Sequence, residues 1–142
     1  MAAYNKFQVF VENLAEKIHN LGADTLKVML VNSPAPAATN SVKLDLTEIT
    51  AGFGYTAGGT QATISTSAQT SGTYKLVVAD VVFTAAGGTI GALRYAVFYN
   101  DTPTSPADPL IGWHDYGSSI TLQDTETFTW DADATAGILT LQ

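Results

Sequence analysis

At Asp24 the hydrophobic period of this chain changes from 3.6 to 2, and that switch limits the fold more than any motif in it. Before the switch, Phe7, Phe10, Val11, Leu14, Ile18 and Leu21 fall on one stripe of an amphipathic helix. Asn5 reads as an N-cap, with Gln8 three residues on as a capping-box variant. Tyr4 and Val9 are placed to form the flanking hydrophobic staple. Lys17 and His19 suit the negative end of the dipole, and Gly22 reads as a left-handed stop. These signals predict a helix over residues 5–21.

After the switch, apolar and polar residues alternate. Leu26, Val28 and Leu30 interleave with Thr25, Lys27 and Met29, and Val42, Leu44 and Leu46 with Lys43, Asp45 and Thr47. The same pattern runs through 62–67, 92–99 and 127–130. Twenty threonines suit pleated, half-buried surfaces. Turn punctuation at Pro34, Pro36, Gly52, Gly54, Gly58, Gly59, Gly72, Gly87, Gly88 and Gly117 cuts the rest of the chain into about eight to ten short strands. Pro103, Pro106 and Pro109 mark 100–109 as a surface loop, because proline cannot donate to a central ladder. The expectation is one domain over 1–142, an all-β sandwich (24–142) preceded by the single helix.

Charge narrows the partners. Residues 1–94 carry six basic and six acidic groups, whereas 95–142 carry seven acids and no Lys or Arg. A net charge of −7 repels phosphate, which argues against nucleic acid. The longest apolar stretch, 76–86, is interrupted by Asp80 and is too short for a bilayer, so no membrane partner is expected. The N-terminus lacks the charged start and apolar core of a signal peptide. The chain has no cysteine, which excludes disulfides and thiolate metal sites.

Catalytic and metal motifs fail on spacing. The Gly52–Gly59 run has neither the dinucleotide fingerprint nor a P-loop Gly-Lys-Ser/Thr. The run from Asp131 and Asp133 puts Ala136 and Gln142 where a calcium loop needs Gly and Glu, which leaves at most a weak calcium site. His114 and Asp115 are adjacent in a strand and face opposite ways, so they do not pair as base and orienter. No catalytic residue, cofactor or metal is expected, and the chain reads as a binding protein rather than an enzyme.

Aromatic residues are the remaining signal. Trp130 shares a strand face with Phe128 and reads as core. Trp113 and Tyr116 are the ligand-binding aromatics if the protein holds a carbohydrate or a receptor, and Trp113 is equally a core residue. Phe53 and Tyr55 sit in a Gly-rich loop, where they are either partner anchors or side chains folded back over the sandwich end.

Several blocks taken in order resemble a known group. They are Tyr4-Asn-Lys-Phe, Phe10-Val-Glu-Asn-Leu-Ala, His19-Asn-Leu-Gly, Asp24-Thr-Leu-Lys-Val-Met-Leu, Gly54-Tyr-Thr-Ala-Gly-Gly, Leu93-Arg-Tyr-Ala-Val-Phe-Tyr-Asn-Asp and Pro109-Leu-Ile-Gly-Trp-His-Asp-Tyr-Gly-Ser. Along nearly its whole length the chain resembles the head decoration (cement) proteins of tailed bacteriophages, which are of jelly-roll type. The resemblance implies a homo-oligomer, trimer or dimer, on the outer capsid surface of the virion, made in the host bacterial cytoplasm. It would bridge subunits of the major capsid protein. It implies no catalytic motif. Under it, the contacts expected are Tyr4, Lys6, Pro34, Pro36, Phe53 and Tyr55, with the neutral residues 1–94 docking and the acidic remainder facing solvent. The alternative is a phage tail or adhesin module that binds carbohydrate or a host receptor.

Overall fold

Two long strands organise the molecule. In the computed structural model, which describes residues 2–142, β7 (Ile90–Asn100) and β8 (Leu110–Leu122) form an antiparallel pair with three register shifts. Around them a five-stranded sheet is completed by β1 (Tyr4–Lys6), β2 (Leu26–Val31) and β3 (Thr60–Gln61), in the order β1-β8-β7-β2-β3. Two smaller antiparallel sheets oppose it. One contains β4 (Ile64–Thr70), β5 (Thr73–Val78) and β10 (Leu139–Leu141); the other pairs β6 (Val81–Thr84) with β9 (Thr127–Trp130). The fold is all-β and antiparallel, with one short helix, α1 (Val9–Ala15). Among the described residues, no helix is long and apolar enough to cross a membrane.

The core lies between these layers. Leu26, Val28 and Leu30 from β2 and Ala96 and Phe98 from β7 meet Leu76, Val78, Val81, Phe83 and Trp130 from the opposing strands. The second face of the large sheet is also covered. Met29, Val31, Tyr95, Val97, Tyr99 and Leu110 form a separate cluster with Phe7, closed by Val9, Leu46 and Trp113. As a result every residue from Tyr95 to Asn100 is buried, and β7 is not the half-buried strand that its alternation predicts.

The helix is shorter than the predicted 5–21. Tyr4, Asn5 and Lys6 pair with His114, Trp113 and Gly112 as an edge strand, so Asn5 is not a cap and Tyr4 is not a staple. The other end closes at Lys17, whose φ is 67°. Ile18 N–H bonds to Asn13 C=O (2.8 Å) and Lys17 N–H to Leu14 C=O (3.3 Å), the double bond of a Schellman stop with lysine in the glycine position. Residues 18–22 are therefore outside the helix, and His19 is buried beside Asn100 rather than capping it.

The predicted strand at 42–46 is instead a single 3-10 turn over Lys43–Asp45. The Asp45 carboxylate accepts the N–H groups of Ser41 (2.7 Å) and Val42 (3.1 Å), offering the backbone a local partner in place of a ladder. Leu44 is left 89% exposed.

The division into a neutral docking part and an acidic outer part does not survive folding as two faces. β8 and the Tyr95–Asn100 part of β7, from the acidic portion, lie between β1 and β2, from the neutral portion. Lys27 pairs with Asp101 and Arg94 with Asp115, each at 2.8 Å, joining the two halves directly.

Candidate functional site

The loop that the sequence marks as an aromatic contact segment folds into a two-residue hairpin. Gly52 and Tyr55 exchange both backbone hydrogen bonds (2.8 and 3.0 Å), with φ of 53° at Phe53 and 100° at Gly54. Positive φ at both central positions is type I′ geometry, which favours Asn, Asp or Gly at the first of them. Phe53 occupies it instead, a conformation that costs an L-residue of this bulk roughly 1–2 kcal/mol. Gly54 is required sterically, since a Cβ there would overlap the carbonyl oxygen of Thr84.

The hairpin is held rigidly despite that strain. Ala86 N–H bonds to Phe53 C=O at 2.9 Å, and the Phe53 ring lies across the backbone of Gly88. More than half of the ring, 56%, faces solvent. Tyr55, two residues on, points inward and is only 3% exposed. Its ring packs near Phe83, with centroids 5.7 Å apart. Its hydroxyl accepts Leu30 N–H (3.0 Å) and donates to Glu48 Oε1 (2.6 Å), which also accepts Gly58 N–H. Burial first, and the Glu48 bond second, raise the Tyr55 hydroxyl far above its ordinary pKa. The two readings offered for this pair, contact anchors or side chains folded back, thus divide between them: Tyr55 folds in and fastens the loop, and Phe53 is displayed by it.

The other expected contacts are dispersed. Tyr4 lies with its ring over Gly112, half-buried, its hydroxyl sealed without a partner, and burial raises its pKa. Lys6 is exposed on the same strand. Pro34 is exposed, whereas Pro36 is buried. Trp113 and Tyr116 are on opposite faces of β8. Trp113 packs on Phe7 at 4.5 Å in the outer cluster, while Tyr116 is 53% exposed and meets Phe128 edge-on. They do not share one binding surface.

Tyr116 instead borders a groove of about 340 Å³ between β8 and β9, with His114, Phe128, Trp130 and Asp131. His114 and Asp115 do face apart: Asp115 takes a two-point bond from Arg94 (2.8 and 3.0 Å), and His114 Nδ1 accepts Trp130 Nε1–H at 3.1 Å. That arginine bond holds the Asp115 carboxyl below its usual range, and burial holds His114 below its own. Asp133 spends its carboxylate on Thr135 and Ala136 N–H groups, which lower its pKa. Among the described residues, no three His, Asp or Glu side chains converge as metal ligands.

Two features escape the sequence reading. Leu44 is a fully presented aliphatic side chain where a strand is expected, and the Asp45 that follows it is the one local signal for a turn. The Trp130–His114 bond joins residues that sequence treats separately, and nothing in their spacing announces it. The chain matches no protein-family model, no curated protein and no solved structure.

Proposed function

We propose that this chain is a structural protein of a tailed-bacteriophage virion that docks on the outer capsid surface and bridges major capsid protein subunits. The reading takes its partner from the resemblance in sequence order, with a jelly-roll-like strand arrangement and a trimer or dimer as parts of it. The observation that carries it is Phe53, an aromatic side chain more than half exposed at a backbone position that disfavours it. Strain that persists because the surroundings over-determine it concentrates at contact sites. Aromatic side chains, phenylalanine included, are enriched in interfaces relative to the rest of a protein's surface. Many copies, each with modest contact area, stabilise a shell by multivalency.

The test is co-sedimentation of the purified protein with expanded capsids that lack it, counting copies per shell and following capsid heat resistance. Binding in a fixed ratio with raised heat resistance is expected. Replacing Phe53 should weaken binding by about 30-fold or more, the loss of roughly 2 kcal/mol that an anchor supplies. Absence of co-sedimentation, or shells equally heat-resistant with and without the protein, would remove the proposal.

A further inference from the structure

We infer that the groove between β8 and β9 is a binding site for one ring of a neutral saccharide, independent of docking at Phe53. Its volume of about 340 Å³ lies at the lower end of the range that holds small ligands. Three side chains on its wall have the chemistry such a ring needs. Tyr116 offers a half-exposed aromatic surface, held in place by its edge contact with Phe128 at 5.7 Å. A sugar's apolar C–H face packs on such a ring while its hydroxyls turn to polar neighbours.

The polar neighbours are a donor and an acceptor of fixed sense. The indole N–H of Trp130 can only donate, so His114 Nδ1 must accept and His114 carries its proton on Nε2. Among the described residues, nothing bonds to His114 Nε2, which leaves its N–H as a donor on the groove wall. Asp131 is exposed at the rim and supplies a carboxylate acceptor. The backbone adds more, because among the described residues β9 pairs with β6 alone and its second edge is left open.

Charge selects the ligand class. Among the described residues, the groove is lined by one carboxylate and by no lysine or arginine side chain, so an anionic sugar or a phosphate meets no counter-charge from them. A hydroxyl-rich neutral ring both accepts from His114 and donates to Asp131, which a hydrocarbon ligand does not.

The test is titration of the isotope-labelled full chain, followed by amide NMR, with glucose, galactose and N-acetylglucosamine in turn and sialic acid as the anionic control. At least one neutral sugar should shift the amides of His114, Tyr116, Phe128 and Asp131, with a Kd on the order of 1 mM. Tyr116→Ala, a change at the exposed surface, should weaken that binding about tenfold or more while the rest of the spectrum stays in place. Asp131→Asn should weaken it several-fold, and a chelator should change nothing. No shifts with any neutral sugar, shifts that map elsewhere, a preference for sialic acid, or unchanged binding by Tyr116→Ala would each overturn the inference.

Discussion

The hydroxyl of Tyr55 takes the place of a neighbouring strand for Leu30, accepting its backbone N–H at 3.0 Å where β3 no longer reaches. Leu30 C=O is met by Ile49 N–H, also at 3.0 Å, so the 48–59 segment closes the edge of β2 with one side-chain and one backbone bond. Removing only the hydroxyl leaves a buried N–H and the Glu48 carboxylate each short of a partner. Tyr55→Phe should therefore lower stability by about 1–3 kcal/mol, because unmet buried groups lose their full desolvation cost. Urea unfolding of the two proteins at neutral pH measures it, and a change below about 0.5 kcal/mol would show that water restores the bonds.

Phe53 offers a separation of stability from binding. At φ 53° an alanine keeps most of the steric cost, whereas a glycine relieves it. Phe53→Gly should be more stable than Phe53→Ala by about 1 kcal/mol, with both losing the ring's contact over Gly88. Under the proposed function both fail to hold capsids to the same degree, since each lacks the aromatic side chain. Thermal melts and co-sedimentation of the two variants side by side check the ordering. A glycine variant that binds as well as wild type would place the contact elsewhere.

Two histidines make stability depend on pH in one window. His19 Nδ1 faces the Asn100 amide at 3.1 Å, and its Nε2 is sealed without a partner. Burial lowers its pKa from 6.5 to about 4, with the Asp24 carboxylate opposing the shift. His114 is lowered too, by burial. The unfolded chain binds these protons first as pH falls, so their contribution is present above about pH 6.5 and declines as pH drops toward the folded values. Asp115 and Asp133 act lower, losing their contribution below the ordinary carboxylate range, because their folded pKa values are depressed. The urea midpoint should thus fall between pH 6.5 and pH 4.5, before carboxylates contribute much, and His19→Asn should flatten that fall. A midpoint constant across this interval would contradict neutral, buried histidines.

How much the sequence reveals differs by element. The alternation after Asp24 identifies the strand-rich body because period 2 survives wherever one sheet face is buried. It misreads β7, since Ala96 and Phe98 pack toward one cluster while Tyr95, Val97 and Tyr99 pack toward the other, and only tertiary structure supplies the second cover. It misreads 42–46, where a carboxylate two bonds from the backbone outcompetes a ladder that alternation alone implies. In the candidate site, the Gly-Phe-Gly-Tyr spelling marks a turn with aromatics. Which aromatic turns inward is decided by Leu30, more than twenty residues away in the chain, and is not written locally. The helix shows the same limit at its ends. Its apolar stripe is visible, but β-pairing removes its predicted start and a lysine in a glycine's position hides its stop.

That lysine gives the sharpest single-residue test of the local argument. Lys17 is exposed, its φ is 67°, and its N–H and that of Ile18 close the two bonds of the stop. The left-handed region costs a β-carbon roughly 1–2 kcal/mol, and glycine avoids that cost while adding freedom to the unfolded chain. Lys17→Gly should therefore stabilise the protein by about 0.5–1 kcal/mol, a rise in Tm of about 2–4 °C at this chain length. Glu16, one residue earlier, has a φ of −87°, where glycine relieves nothing. Glu16→Gly should destabilise by a similar amount, through unfolded-state entropy alone. Opposite signs at adjacent exposed positions follow only if the helix ends at Lys17. If it ran on to Leu21, both substitutions would fall inside it and both would destabilise.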